Sequence, residues 1–125
     1  MDKKKKIKGQ IPGVHYSWLV ALAQKRRCPV SDVLGEIVNW ISSGETILPE
    51  YMVESCKSAI GAHTYLNFNA DARLLRKWEH FKQINRIKSD SHAIRMAVCF
   101  RYGLSKNKEK APTHNGKPIQ QRELF

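Results

Sequence analysis

The sequence predicts a mainly α-helical fold built on a two-stranded antiparallel β-ribbon, with one strand–helix–helix unit occurring twice. The clearer unit covers 64–104, where a short segment of alternating polarity precedes two segments whose apolar residues recur at helical spacing. A weaker unit with the same order covers 6–43. Because a lone short strand is unstable in water, we expect the two strands to pair with each other.

In the second unit, the strand shows the period of two that is typical of a half-buried strand. Its apolar face carries Leu66, Phe68 and Ala70, and its polar face carries Tyr65, Asn67 and Asn69. Asp71 follows as an N-cap residue for a helix over 72–87. New capping residues at 88–91 start a second helix, which is expected to end at Tyr102 because Gly103 stands in a C-cap position.

The first unit begins with an alternating strand, whose apolar face carries Ile7, Gly9 and Ile11. Pro12 cannot sit within a paired strand but can open a helix, and that helix is expected to stop before Pro29. A second helix is predicted over 30–41. The segment that joins the two units contains a candidate short helix at 50–60.

The two units can be aligned through their second helices, 31–38 with 91–98. Both segments read Ser, polar, apolar, branched apolar, two variable positions, apolar and Val. The same alignment puts Pro12 against Asp71, with one residue fewer in the helical part of the first unit. This pattern predicts an internal repeat, although two amphipathic helix pairs can also resemble each other by chance.

The predicted domain organisation therefore has five parts. A basic tail at 1–5 precedes repeat one at 6–43, and a linker at 44–63 leads to repeat two at 64–104. The remaining 105–125 is a polar tail, which we expect to be disordered or loosely docked.

The net charge of +11 at pH 7 and the isoelectric point near 9.8 are the strongest compositional signal. A compact chain this basic is typical of proteins that bind a polyanion, and a set of solvated basic faces is the alternative. The chain has no apolar run near the ~20 residues of a membrane span and no signal-peptide core, so a soluble cytoplasmic protein without membrane contacts is expected. Three widely spaced cysteines predict no disulfide framework.

In these features the sequence resembles the ribbon-helix-helix family of DNA-binding proteins, of the Arc and MetJ type. Two copies in one chain resemble the TraY accessory proteins of conjugative plasmids. The resemblance implies a tandem ribbon-helix-helix pseudo-dimer, a single intertwined domain over 6–104 that binds double-stranded DNA. It also implies a role in plasmid conjugation or transcription regulation, with a relaxase or another relaxosome protein as partner. Gly9, Gly13 and Gly35 depart from the family pattern.

The polar face of the ribbon is the predicted base-reading surface, since a two-stranded ribbon fits the major groove of B-DNA. Its residues are Lys6, Lys8, Gln10, Tyr65, Asn67 and Asn69. Asn and Gln can bond adenine N6 and N7, and Lys can reach guanine or a phosphate. Asn67 and Asn69 are informative because asparagine is depleted in strands, although a solvated strand face or a loop would also explain them. Because the two units differ, an asymmetric DNA site is expected.

Phosphate contacts are predicted in the basic N-terminal segment and at the start of the second helix of each unit. These residues are Lys4, Lys5, Pro29, Val30, Ser31, Lys88, Ser89 and Ser91. Unpaired amides and the positive end of the helix dipole favour an anion at a helix start. The serines would serve equally well as plain helix caps, and the lysines as a solvated tail.

No catalytic constellation is visible in the sequence, so no enzymatic activity, metal or cofactor is expected. There is no phosphate-binding glycine loop, and the histidines and cysteines do not have zinc-site spacing. Aromatic residues at helical spacing are predicted to belong to the core rather than to a stacking surface: Trp18, Trp40, Trp78, Phe81 and Phe100.

Several alternatives stay open at this point. A plain repressor, or an antitoxin whose tail at 105–125 folds on a toxin, would keep the DNA binding. A basic adaptor for protein or RNA belongs to another class. A helix-turn-helix with 91–102 in the groove is the structural rival, although that helix carries more core residues than reading residues. Binding of several copies to one DNA is also open.

Overall fold

The computed structural model describes residues 4–55 and 62–110, and over these residues the chain is mainly helical with one two-stranded antiparallel sheet. The elements in chain order are β1 (Lys5–Pro12), α1 (Gly13–Arg26), α2 (Val30–Ser42), α3 (Glu50–Ser55), β2 (Ala62–Ala70), α4 (Ala72–Ile84) and α5 (Asp90–Lys110). This confirms the predicted mainly helical class with a β-ribbon, and the element order is compatible with strand–helix–helix units.

The ribbon consists of β1 and β2, paired in a regular register from Lys5 opposite Ala70 to Ile11 opposite Thr64. The buried part of its inner face consists of Ile7, Gly9, Ile11, Leu66, Phe68 and Ala70, and at the ends of this face Lys5 is exposed and Thr64 is half-buried. The predicted alternation of both strands is therefore confirmed. The prediction that Pro12 lies outside the paired strand is wrong, because Pro12 is the last residue of β1 and pairs with Ala62 after a register shift that follows Ile11. A proline has no N–H to donate and is tolerated at such a strand end.

α1 and α4 end at an arginine with a left-handed backbone: φ is 57° at Arg27 and 58° at Arg86. The N–H of Arg27 donates to the Gln24 carbonyl (3.2 Å), and the N–H of Arg86 donates to the Gln83 carbonyl (3.1 Å). In each case the next amide bonds the carbonyl one residue before that glutamine, at 3.0 and 2.8 Å. This pair of bonds is a Schellman motif, and it ends α4 before the predicted position 87.

The helices of the second half start at side-chain caps, whereas those of the first half start at prolines. The carboxylate of Asp71 accepts the N–H three residues later (2.8 Å), which confirms the predicted cap of α4. The hydroxyl of Ser89 accepts the amide of His92 (3.1 Å) at the start of α5. α1 and α2 follow Pro12 and Pro29, which have φ of −60° and −67° and make no side-chain cap bond.

α5 is longer than predicted, because it continues through Gly103 to Lys110. The prediction that Gly103 caps this helix is therefore wrong. A glycine in a helix interior costs only about 1 kcal/mol relative to alanine. Tyr102 packs its ring against Trp18 (5.4 Å between centroids), and Lys106 lies 5.4 Å from the Tyr102 ring, so contacts on both sides of the glycine hold the helix. The predicted tail thus begins inside α5, and 111–125 lies outside the described residues.

The core lies between the ribbon and the helices, and its largest buried side chains include Trp78, Phe68 and Phe81. The indole of Trp78 packs edge-on against Phe68 (5.6 Å) and stacks on Phe81 (5.5 Å). The core prediction is thus confirmed for Trp78 and Phe81, while the other aromatic residues of that group are half-buried at its edge. Neither Cys28 nor Cys99 forms a disulfide.

The segment before β2 is held against the second half by two buried polar side chains. The Asn85 amide accepts the Leu48 N–H (2.7 Å) and donates to the Thr46 carbonyl (2.9 Å). The ring of His92 bonds the Val53 carbonyl through Nε2 (2.8 Å). The predicted short helix is present as α3, although 56–61, where the prediction continued it and where Cys56 lies, is outside the described residues.

Candidate nucleic-acid interface

The outer face of the ribbon brings together all six predicted base-reading residues. The register places them in three cross-strand pairs: Lys6 opposite Asn69, Lys8 opposite Asn67, and Gln10 opposite Tyr65. Four of them are exposed, with Tyr65 at 75% exposure, and Gln10 and Asn67 are half-buried. We call these six residues the reading face.

The spacing of the reading face suits the major groove. Residues two apart on a strand are about 6.8 Å apart, which equals about two base-pair steps of B-DNA at ~3.4 Å each. The three pairs would therefore span a few successive base pairs. Lysine occurs only on the β1 side and asparagine only on the β2 side of the reading face. The two edges of the ribbon thus offer different hydrogen-bonding chemistry: donors alone from lysine, and both donors and an acceptor from asparagine.

The free edge of β1 is covered by the first turns of α5. The N–H of Gln10 donates to the hydroxyl of Ser91 (3.0 Å), and Arg95 donates to the Gln10 carbonyl (3.3 Å). The same guanidinium nitrogen of Arg95 also donates to the Ser91 hydroxyl (3.0 Å). Ser91, predicted to contact a phosphate, is thus placed between the ribbon and α5, with its oxygen engaged by two donors.

The start of α5 carries a cap and an ion-pair network. Ser89 is exposed and caps the helix, as the alternative explanation of this residue had it. Asp90 accepts hydrogen bonds from the Trp78 indole (3.0 Å) and from Lys82 (2.7 Å). Burial alone would lower the pKa of Lys82, but its bonds to Asp90 and Glu79 outweigh burial and raise that pKa above its ordinary value. The carboxylate of Asp90 is therefore compensated within the protein.

Lys88 is exposed just before this helix start, and two further predicted lysines, Lys4 and Lys5, are exposed at the N-terminal end of β1. Lys5 lies opposite Ala70, the residue before the N-cap of α4. These three lysines add positive charge on both sides of the reading face. Residues 1–3 of the predicted basic tail lie outside the described residues.

The start of α2 differs, since no side-chain cap occupies it. Pro29 is exposed, and Val30 and Ser31 are half-buried. The first amides of this helix face no capping side chain, and Asp32 is its only first-turn acid. A helix start of this kind offers amides and a positive dipole end to an anion. The predicted phosphate-binding residues thus lie near helix starts or at the ribbon end, and the side chain of Ser91 is hydrogen-bonded to the ribbon.

α5 cannot act as a groove-reading helix along its first turns. Residues 92–98 are all buried, and Ala93, Ile94, Met96, Ala97 and Val98 are fully inaccessible. This removes the surface that the helix-turn-helix alternative needs. Sequence reasoning missed the contact of Arg95 with the ribbon, since this arginine does not lie in a polar pattern that signals function.

A concave pocket with a volume of about 270 Å³ lies between α1, α2 and α5. Its walls are Leu22, Val33, Ile37, Trp40, Arg26, Glu36 and Arg101. Burial, together with the charge of Arg26, lowers the pKa of Arg101 to about 10. Arg26 bonds Glu36, and the Arg101 guanidinium lies 5.7 Å from the Trp40 ring. Among the described residues that line this pocket, no nucleophile lies beside a general base.

Over 4–55 and 62–110, no cluster of three histidine, cysteine, aspartate or glutamate side chains could hold a metal ion. Nor is any described helix long and apolar enough to cross a membrane. No family model, curated protein or solved structure matches this chain.

Proposed function

We propose that this chain is a sequence-specific double-stranded DNA-binding protein that places its β-ribbon in the major groove. The observation that carries the proposal is the reading face itself. Six polar side chains stand in three cross-strand pairs on one side of the ribbon, while the other side carries the buried residues Ile7, Gly9, Ile11, Leu66, Phe68 and Ala70. The net charge of +11 supplies the general attraction to the phosphate backbone.

The fold we propose for this function is a tandem ribbon-helix-helix, in which one chain makes both halves of a pseudo-dimer. Two features support it. The interval that separates the left-handed Arg27 from its counterpart Arg86 also separates Lys8 from Asn67. Since Lys8 and Asn67 face each other at the centre of the reading face, a pseudo-twofold axis would pass between them. This is where the axis lies when two equivalent strands pair.

In this arrangement the two edges of the ribbon read different bases. Asn67 and Asn69 suit adenine, since a carboxamide matches its N6 and N7 groups, and Lys8 suits guanine O6 and N7. Tyr65 can contact a thymine methyl group or a phosphate. The target would therefore lack the twofold symmetry of a homodimer site. The start of α2, with its uncapped amides, and Lys88 at the start of α5 would bind the backbone on either side.

For the biological role we propose an accessory protein of plasmid transfer or a transcriptional regulator acting in the cytoplasm, on the strength of the resemblance to TraY proteins. A relaxase or another relaxosome protein is the partner this role would need. The chain would be a binding protein without enzymatic activity or cofactor. A plain repressor or an antitoxin would use the same reading face, so these roles are separated by the position of the DNA site relative to genes and by the protein partner.

The proposal is tested by footprinting the purified full chain on duplex DNA from its own gene neighbourhood, with random duplex as competitor, over a salt series. We expect a protected site that survives competition and is not palindromic. The double change Asn67→Ala and Asn69→Ala should weaken binding to that site by about 1–3 kcal/mol and leave random duplex nearly unaffected.

The matched control is Asn39→Ala, which makes the same chemical change at an exposed residue of α2 outside the ribbon. It should leave the footprint intact. Protection that disappears above moderate salt, with no preferred site, would reject sequence-specific binding and favour a basic adaptor. A footprint that is lost equally in the control would show that the reading face has no special part in recognition.

A further inference from the structure

The backbone N–H and the backbone carbonyl of Gln10 both form hydrogen bonds with side chains of α5. Its N–H donates to the Ser91 hydroxyl at 3.0 Å and its carbonyl accepts from Arg95 at 3.3 Å. Arg95 closes the ring of contacts by donating to Ser91 at 3.0 Å. Arg95 is only 7% exposed, although a guanidinium is costly to bury, so this arrangement is built into the core. Gln10 itself belongs to the reading face.

Gly9 allows these contacts, because α5 approaches β1 too closely for a larger residue. A Cβ atom at this position would lie 2.8 Å from Cδ1 of Ile94 and 3.1 Å from Cα of Ser91. The second of these neighbours is backbone, which cannot move aside without displacing the helix. The glycine in the strand is therefore explained by the close approach of α5 rather than by a weak strand.

We propose that Ser91 and Arg95 are positioning residues for DNA readout, which fix the reading face to the start of α5. We call Gly9, Gln10, Ser91 and Arg95 the β1–α5 latch. The inference rests on the proposed function, since it concerns how the same surface recognises DNA. Base contacts are made by the ribbon and phosphate contacts by Lys88 and the start of α5. The latch holds these two sets of contacts at one fixed spacing.

A fixed spacing acts on specificity rather than on general affinity. Binding to random duplex depends on charge, which the latch leaves in place. Binding to the preferred site requires bases and phosphates to be contacted together, with pairing geometry that tolerates little displacement. Loss of the latch should therefore reduce the ratio of the two affinities, and the reading side chains themselves would be untouched.

The first test measures the ratio of affinities for the preferred and random duplexes in the full chain. Ser91→Ala removes the oxygen that accepts from both Gln10 and Arg95, and it should lower the ratio by up to about tenfold. Ser91→Thr keeps a hydroxyl at the same place and should restore the ratio. Ser17→Ala, at an exposed serine of α1, is the matched control and should not change it. Arg95→Met removes the guanidinium donors and, like Ser91→Ala, should lower the ratio.

The second test needs no DNA. Amide hydrogen exchange in the free protein should show that Ser91→Ala speeds exchange at Gln10 by about tenfold or more, while Ser17→Ala does not. Unchanged exchange at Gln10 would overturn the latch.

If Ser91→Ala speeds amide exchange at Gln10 but leaves the affinity ratio unchanged, the role of the latch in readout is overturned and the proposed function stands. An equal loss of affinity for both duplexes would overturn it too, and would assign Ser91 to phosphate binding. A wild-type chain with no preferred site would remove the proposed function, and the role of the latch with it.

Discussion

The two halves of the described chain, 5–42 and 62–110, reach similar local shapes by different means. Each consists of a strand, a helix that ends at a left-handed arginine, and a second helix. The second half starts its helices with the side chains of Asp71 and Ser89, whereas the first half uses Pro12 and Pro29. Because proline fixes its own φ, it can start a helix without supplying an acceptor. The difference leaves the start of α2 better suited to an external anion than that of α5.

The inner face of the ribbon shows the same contrast. Gly9 occupies the middle position of this face in β1, and Phe68 occupies the position in β2 that corresponds to it in the proposed repeat alignment. α5 lies close against the glycine, while the phenylalanine ring fills space against Trp78. At this position the backbone of β1 thus lies directly against a helix, whereas β2 packs an aromatic ring against another ring. Equivalent positions in the two halves should therefore respond differently to the same kind of change.

The largest expected effect is on stability. Phe68→Ala removes a ring that is fully buried against Trp78, and it should lower the free energy of unfolding by about 3–5 kcal/mol. Gly9→Ala adds one methyl group where α5 leaves no room, and it should cost about 1–3 kcal/mol through overpacking. Urea unfolding followed by circular dichroism measures both values. A neutral or stabilising Gly9→Ala would mean that α5 can move away from β1 at little cost.

This contrast also marks how much of the fold the sequence could predict. The alternation of both strands and the Asp71 cap were predictable because each depends on neighbours in sequence. The reason for Gly9 was not, since it depends on Ile94, which is far away in the chain. Gly103 gave the wrong end of α5, because tertiary contacts of Tyr102 outweigh a modest glycine penalty.

The candidate site was predictable to a similar extent. All six residues of the reading face followed from alternation alone, because polar residues on one side of a half-buried ribbon must point outward. The hydrogen-bond partner of Ser91 could not be predicted from the sequence. A serine near a helix start is equally suited to capping the helix, binding a phosphate or accepting from a distant amide. The distant amide of Gln10 is the partner the structure provides. Buried Arg95 has no sequence signature that separates it from a surface arginine.

The next effect contrasts the two edges of the reading face. Lys6→Ala with Lys8→Ala on β1 should weaken binding to the preferred duplex most, because Lys8 is proposed to read guanine, and should weaken binding to random duplex as well, because both side chains carry positive charge. It should also reduce the log–log salt slope by about 0.9 for each lysine that contacts a phosphate. Asn67→Ala with Asn69→Ala on β2 should leave that slope unchanged, since asparagine releases no counterion. Affinities measured over a salt series distinguish the two. If the lysine variant lost only the preferred site, with its slope intact, both lysines would read bases alone.

A smaller effect is expected at the helix starts. Asp71→Ala removes the carboxylate that caps α4 by accepting the Leu74 N–H, and it should lower the free energy of unfolding by about 1 kcal/mol. Pro12→Ala, at the start of α1, removes no cap bond, so it should lower the free energy of unfolding by less than Asp71→Ala does. Its cost, about 0.4–1 kcal/mol at most, arises because the unfolded chain gains conformational freedom without the proline. Equal losses in urea unfolding would contradict the view that the two halves start their helices by different means.

The smallest expected effect is a pH dependence of stability that arises in α1 and has no counterpart at the corresponding position of α4. Burial lowers the pKa of His15, whose ring packs beside that of Tyr102 and whose buried Nδ1 has no hydrogen-bond partner among the residues that the structure describes. The proposed repeat alignment places an apolar residue, Leu74, at the corresponding position of α4. In the unfolded chain this histidine takes up a proton near pH 6.5, whereas the folded chain resists protonation until lower pH. The unfolded state therefore binds more protons in that interval, and stability should fall as pH drops below about 6.5.

His15→Leu should remove this part of the pH dependence and make the first half resemble the second. Urea midpoints measured between pH 8 and pH 5 should fall less for the variant than for the wild type, with the curves parallel above pH 7. His80→Leu is the matched control, because His80 is exposed on α4 and its loss should leave the shape of the wild-type curve in place. Parallel curves for His15→Leu and wild type through pH 5 would mean that the folded chain protonates His15 as readily as the unfolded one. The apolar contact between α1 and α5 would then tolerate a charge that burial should exclude.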